Sequence, residues 1–65
     1  MKTLDFEIYL TKDNIYQILT YSEQLNGYFD AIGTGFETLP EAMQYINEMI
    51  TTENPEFIKI KIYKQ

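Results

Sequence analysis

Length, composition and charge exclude most catalytic mechanisms. The chain has 65 residues and a formal net charge of −5, with no His, Cys, Trp or Arg and a single serine, Ser22. The chain therefore lacks a His base for nucleophilic catalysis, Cys and His ligands for zinc, and Arg for bidentate contacts to phosphate. We predict no catalytic, metal or cofactor site and no direct nucleic-acid binding.

The first predicted element is a strand near the N-terminus. Apolar residues alternate with polar ones from position 4 to position 10, which is the period of a strand with one apolar face. The apolar positions are Leu4, Phe6, Ile8 and Leu10.

No apolar run approaches the roughly 18 residues of a membrane span, and charged residues interrupt the N-terminus where a signal peptide has its apolar region. We therefore predict one soluble, cytoplasmic domain over residues 1–65.

The middle of the chain admits two interpretations. Residues 14–22 are rich in β-branched and aromatic side chains, and Asn26-Gly27, a hairpin-turn dipeptide, separates them from an apolar stretch at residues 28–32. This favours two strands joined by a hairpin. The competing interpretation is a helix that is capped by Asp13 and ended by Gly27. Its stripe would consist of Ile15, Ile18, Leu19, Ser22 and Leu25.

A helix is predicted over residues 39–51. Thr38 and Glu41 have the spacing of a capping box, and Pro40 falls in the first turn, where its missing N–H costs little. Apolar side chains then recur at helical spacing, at Leu39, Ala42, Met43, Ile46, Met49 and Ile50. The following residues Glu53-Asn54-Pro55 end the element, because the residue before a proline disfavours helical geometry.

The last segment, residues 56–64, predicts a strand with an aliphatic inner face formed by Ile58, Ile60 and Ile62. The acidic positions of the first strand and the lysines of the last are complementary, which places these two strands side by side. The pairs are formed from Asp5, Glu7, Lys59 and Lys61. The predicted fold is therefore α+β, with elements β-β-β-α-β, a four-stranded sheet of order 3-2-1-4, and one helix packed on one face. The last strand is expected to run parallel to the first.

One helix leaves the other face of this sheet open. Large apolar groups on an uncovered face usually mark a protein interface, and tyrosine suits such a surface because it has an apolar ring and a polar tip. Depending on its register, the second strand adds either Tyr16 and Ile18 or Leu19 and Tyr21. The candidate partner or dimer interface consists of Tyr9, Tyr16, Phe57 and Tyr63. The plainer alternative is that scattered tyrosines only shield the sheet.

A second candidate surface is acidic, with Glu37, Glu41 and Glu48 as its main residues. Such a surface imitates the spaced charges of a nucleic-acid backbone and would occupy the cationic groove of a nuclease or another DNA-binding enzyme. The plainer alternative is a solvated helix face. A carboxylate enzyme or a magnesium site between Asp30 and Glu37 has the least support, because a domain of this size has no room for a deep cleft.

The junction at residues 32–42, Ile-Gly-Thr-Gly-Phe-Glu-Thr-Leu-Pro-Glu-Ala, resembles HicB-type antitoxin domains. Those domains have three antiparallel strands, a helix entered through a similar Gly-x-Thr-x-Glu-Glu-Ala stretch, and a fourth strand. The family's Pro-rich segment before the third strand and its appended DNA-binding element have no counterpart here. The resemblance implies partner binding, with neutralisation of a toxin as one form of it.

The sequence alone does not identify a function. The first hypothesis is a non-catalytic regulator or inhibitor of a partner protein that self-associates, as a homodimer, through the open sheet face. The alternatives are an acidic inhibitor of a nucleic-acid enzyme and a toxin-neutralising domain. Small size and acidity also suit a phage or mobile-element accessory protein.

Overall fold

The computed structural model describes residues 2–30, 32–33 and 35–64. Its elements follow the predicted order and are β1 (Thr3–Leu10), β2 (Tyr16–Ser22), β3 (Gly27–Phe29), α1 (Leu39–Glu53) and β4 (Phe57–Lys64). The strand interpretation of the middle segment is confirmed, and the helical alternative is wrong. No helix within the described residues is long and apolar enough to cross a membrane.

The four strands form one sheet in the order β3-β2-β1-β4, as predicted. β2 lies antiparallel to both β1 and β3, whereas β4 runs parallel to β1. The register of the β1–β4 pair places Asp5 beside Lys59 and Glu7 beside Lys61. The charge complementarity of the two sequences therefore identified the correct neighbours.

The connection between β2 and β3 differs in detail from the predicted hairpin. Ser22 pairs with Gly27, so Gly27 belongs to β3 and the turn occupies residues 23–26. Asn26 takes the left-handed conformation with φ 54°, and its amide donates to the Glu23 carbonyl at 3.2 Å. β3 ends at Phe29, earlier than expected, because the Asp30 carboxylate accepts bonds from amides that follow it and starts a turn. Ala31, within the predicted third strand, lies outside the described residues.

The helix begins and ends where local chemistry requires. The Thr38 hydroxyl accepts a hydrogen bond from the Glu41 amide at 3.3 Å and donates one to the Glu41 carboxylate at 2.8 Å. At the other end Asn54 adopts φ 48°, and its amide donates to the Ile50 carbonyl at 2.8 Å. Pro55 then prevents continuation of the helix. The observed end of α1, Glu53, lies two residues beyond the predicted end.

The core lies between α1 and the sheet. Its buried members come from β1, β2 and the helix and are Leu4, Phe6, Ile8, Ile18, Ala42 and Ile46. On β4, only Ile60 packs against this core. Ile58 and Ile62 point to the same side but remain 44% and 48% exposed. The helix therefore covers the central strands and leaves the outer strand β4 largely uncovered.

Candidate interaction surface

The open face of the sheet is defined by the strand registers. Three of the predicted interface residues lie on it: Tyr9, Phe57 and Tyr63. Tyr9 pairs with Tyr63 and Phe57 pairs with Thr3, and these positions alternate with the core positions of β1, which face the helix. Of the two possibilities for β2, the one with Leu19 and Tyr21 is correct, since Leu19 lies opposite Glu7. We call the following side chains the open-face set: Asp5, Glu7, Tyr9, Leu19, Tyr21, Tyr28, Phe57, Lys59, Lys61 and Tyr63.

The choice of Tyr16 as an interface residue is wrong with respect to its face. Tyr16 lies opposite Leu10, points to the helix side, and packs against the core. Its backbone also forms a two-way bridge with Phe36, with both N–H···O distances at 2.8 Å. Tyr16 therefore joins β2 to the segment that leads into α1, and it does not belong to the open-face set.

At the β1–β4 junction, two tyrosines and a carboxylate form one unit. The rings of Tyr9 and Tyr63 stack with centroids 4.8 Å apart and planes 11° apart. Both hydroxyls donate to Glu7, Tyr9 at 3.0 Å and Tyr63 at 3.2 Å. Glu7 is only 9% exposed although it lies on the open face. The hydrogen bond to Glu7, followed by desolvation, raises the pKa of the Tyr9 hydroxyl above its ordinary value.

A second tyrosine–carboxylate pair lies nearer to β3. The Tyr28 hydroxyl reaches across β2 and donates to the Asp5 carboxylate at 2.8 Å. That hydrogen bond, together with desolvation and the charge of Asp5, raises the pKa of Tyr28 to about 12. Tyr21 meets the Tyr28 ring edge to face, with centroids 5.3 Å apart. Tyrosine hydroxyls thus bond both oxygens of Glu7 and the Oδ2 atom of Asp5, whereas Asp5 Oδ1 is buried without a hydrogen-bond partner among the described residues.

The lysines of the open face remain exposed. Lys59 and Lys61 lie beside Asp5 and Glu7 in register, yet neither forms an ion pair in the described part of the chain. The carboxylates are bonded to tyrosines and partly buried, whereas the ammonium groups stay in solvent. The β4 side of the open face therefore presents cationic groups flanked by the exposed rings of Phe57 and Tyr63.

The predicted acidic surface lies on the solvent side of α1 and just before it. Glu37, Glu41 and Glu48 are all exposed, and Glu41 is the capping residue of the helix. A shallow depression of about 450 Å³ beside Glu48 is lined by residues of α1 alone. A wall formed by one helix cannot enclose a ligand, so this depression is not a cleft. Among the described residues no group of three or more acidic side chains lies close enough together to hold a metal ion.

Comparison with known proteins adds no relative. No protein family, no curated protein and no solved structure matches this chain. The resemblance of residues 32–42 to HicB-type domains stays a prediction. Function is therefore inferred from the geometry of this chain alone.

Sequence reasoning did not identify the hydrogen-bonded carboxylates or Tyr28. Asp5 and Glu7 were expected to pair with lysines, and they accept from tyrosines instead. A signal for one of these contacts was present, because the β1–β4 register places Tyr9 beside Tyr63 on the face that carries Glu7. No comparable signal was present for Tyr28, which reaches its acceptor from a strand that is not adjacent to β1.

Proposed function

We propose that this chain is a non-catalytic protein-interaction module, a small regulator or inhibitor that binds a partner protein on the open sheet face. The observation that supports it is the layer of tyrosines hydrogen-bonded to Glu7 and Asp5. These bonds hold aromatic rings in fixed positions before binding, which lowers the entropy lost when an interface forms. Aromatic residues with polar tips are also the types enriched at protein interfaces.

The chemistry of the surface indicates the kind of partner. Phe57 is 52% exposed and Tyr63 is 38% exposed, and the unpaired ammonium groups of Lys59 and Lys61 lie between them. A protein surface with apolar side chains and a carboxylate rim would complement this arrangement. A second copy of the chain meeting face to face, the form expected from the sequence, supplies the apolar side chains, but the open-face carboxylates Asp5 and Glu7 already accept from tyrosines. We retain this form within the proposal.

A photo-crosslinking experiment tests the proposal. Tyr21 is 38% exposed on the open face and lies on β2, which β1 separates from the β4 edge, so replacing it with a photoreactive phenylalanine analogue puts the probe on this face and away from that edge. The matched control carries the same probe at Leu25, which is 66% exposed in the β2–β3 turn. We expect a defined protein adduct from position 21 in cells of the source organism and none from position 25. The same adducts from both positions, or none from position 21, would contradict the proposal.

Identification of the adduct separates the forms of the proposal. A crosslink between two copies supports face-to-face self-association, whereas a crosslink to another protein supports a regulator or inhibitor. A toxin as that protein would give the antitoxin form, which rests on the resemblance of residues 32–42 and on the shared order of elements. Co-expression with the captured protein then tests directly for neutralisation of its activity.

A second candidate function uses the helix. Glu41 and Glu48 are seven residues apart, so they lie on the same side of α1 about 10 Å from each other. Both are exposed and neither has a cationic partner in the described part of the chain. This arrangement favours an acidic inhibitor of a DNA-binding enzyme. Its binding would weaken steeply with salt and with Glu48→Lys, whereas Tyr21→Ala would leave it unchanged.

A further inference from the structure

The outer edge of β4 is open and unusually apolar for an edge strand. β4 has eight residues, and all except Ile60 are exposed. Edge strands normally avoid pairing through prolines, bulges or charges, and of these β4 has only its lysines. Apolar side chains stand exposed on both of its sides, Ile58 and Ile62 toward the helix and Phe57 and Tyr63 on the open face.

The unpaired backbone groups of this edge can be assigned from one hydrogen bond. The Phe57 amide donates to the Lys2 carbonyl at 3.2 Å and Phe57 pairs with Thr3, so the backbone of this first residue of β4 faces β1; the Glu56 amide, before the strand, donates to the same carbonyl at 2.8 Å. Successive residues of a strand direct their amides and carbonyls to opposite sides. The backbone groups of Ile58, Ile60 and Ile62 therefore point away from β1, toward solvent, where another strand would accept them.

We propose that β4 pairs antiparallel with β4 of a second copy of this chain, around a two-fold axis at Ile60. The two sheets then become one sheet of eight strands, with both helices on the same side. This inference does not depend on the partner site proposed for the open face. It uses the edge of the sheet and the helix side of β4, which the proposed function leaves free, and of the aromatic side chains of the open-face set it shares only Phe57 and Tyr63.

The side chains match in this register on both sides of the sheet. With the axis at Ile60, the exposed side chain of Ile58 meets Ile62 of the second copy, and Phe57 meets Tyr63. Glu56, which precedes β4 and whose amide is bonded to the Lys2 carbonyl, would lie near Lys64 of the second copy, so opposite charges would meet just beyond both ends of the ladder. Cross-strand pairs of aliphatic, aromatic and oppositely charged residues are each favourable. The apolar positions of the edge are thus self-complementary.

Other registers lose this match. A shift by two residues places Phe57 opposite Lys61 in one direction and Ile58 opposite Lys64 in the other. An odd shift pairs residues from opposite faces and is excluded by the pleat. The unfavourable contact in the proposed register is Lys59 opposite Lys61, and the β1–β4 register places a carboxylate of β1 beside each lysine. The row across the interface is therefore electrically balanced.

A charge-reversal experiment tests the register. Light scattering and sedimentation equilibrium up to ~1 mM protein would show the wild type passing from the 7.7 kDa monomer to a dimer. In the Lys64→Glu variant the new glutamate faces Glu56 of the second copy at each end of the interface. This repulsion is expected to raise the dissociation constant of the dimer about tenfold. The double variant Glu56→Lys/Lys64→Glu restores the opposite charges and the dimer. A wild type that stays monomeric, or a double variant that fails to recover, would overturn the inference.

A second pair of variants separates this edge from the open face. Ile62→Glu puts a charge where Ile58 of the second copy would pack, and is expected to abolish the dimer over the same range. Because Ile62 is 48% exposed, the monomer should keep its fold, which circular dichroism verifies. Leu25→Glu, a change of the same kind at an exposed site, should leave the dimer intact. If Tyr21→Ala dissociates the dimer and Ile62→Glu does not, the copies meet face to face, which refutes this inference and leaves the proposed function standing.

Discussion

Because α1 covers β1 but leaves β4 largely exposed, an isoleucine-to-valine change should lower the free energy of unfolding by different amounts at two neighbouring sites. Ile8 and Ile62 lie side by side in register and point to the same side of the sheet. Ile8 is 0% exposed, whereas Ile62 is 48% exposed. Removing one buried methylene by Ile8→Val should lower the free energy of unfolding by about 1 kcal/mol. Ile62→Val should cost about 0.4 kcal/mol, because only half of the side chain leaves water on folding.

Thermal denaturation followed by circular dichroism measures this difference. A change of about 1 kcal/mol shifts the Tm of a domain of this size by about 4–8 °C, so Ile8→Val should be clearly separated from Ile62→Val at low protein concentration. At concentrations where the proposed dimer forms, Ile62 becomes buried and its cost should approach that of Ile8. Equal shifts for the two variants at low concentration would mean that the helix covers β4, and would refute the reasoning.

Three further predictions use single sites and can be measured by chemical or thermal denaturation. Thr38→Ala removes the acceptor at the start of α1 and should cost about 1 kcal/mol; no loss would contradict the capping role. Gly35→Ala adds a Cβ that collides with the Ile15 Cγ2 atom and should cost about 1–3 kcal/mol, whereas Gly27→Ala, whose Cβ meets nothing closer than 4.0 Å, should be nearly neutral. Tyr28 has a pKa of about 12 when folded against 10.0 ordinarily, so its stabilising bond is complete below pH 10 and is lost as the pH rises toward 12. The stability advantage of wild type over Tyr28→Phe should therefore shrink across that range, and a constant difference would refute the assignment.

The elements that the sequence predicted best are those determined by local chemistry. The capping box at Thr38 and the proline after Asn54 define α1 within two residues, because caps and proline geometry act over a few residues. The strand order was also readable. Alternating aliphatic positions and opposite charges on β1 and β4 allow one favourable pairing, and this is the pairing observed.

The sequence did not predict on which face of the sheet Tyr16 lies, because the two alternating sets of residues in β2 both contain aromatic and aliphatic side chains. The phase is determined by the preceding turn, in which Asn14 adopts φ 61° and the Thr11 amide donates to the Ile15 carbonyl at 2.9 Å. This turn delivers Tyr16 to the helix side, where it bridges to Phe36. Such a contact joins residues twenty positions apart, and no short-range pattern contains it.

The tyrosine–carboxylate layer was only partly readable for a similar reason. Opposite charges in register favour ion pairs, so Asp5 and Glu7 were expected to pair with lysines of β4. The buried Glu7 and the partly buried Asp5 instead accept from nearby tyrosine hydroxyls, while long lysine side chains keep their ammonium groups hydrated. The competition depends on burial on the open face, which becomes visible only in three dimensions.

Amide hydrogen exchange, measured residue by residue by NMR at low and high protein concentration, most directly tests whether the edge of β4 pairs with a second copy of the chain. The account predicts that the amides of Ile58, Ile60 and Ile62 exchange rapidly in dilute samples and become protected as the concentration rises. The amides of Lys59 and Lys61, which already face β1, should be protected at both concentrations. Rapid exchange of the three isoleucine amides at every concentration, or their protection in the dilute monomer, would contradict the account.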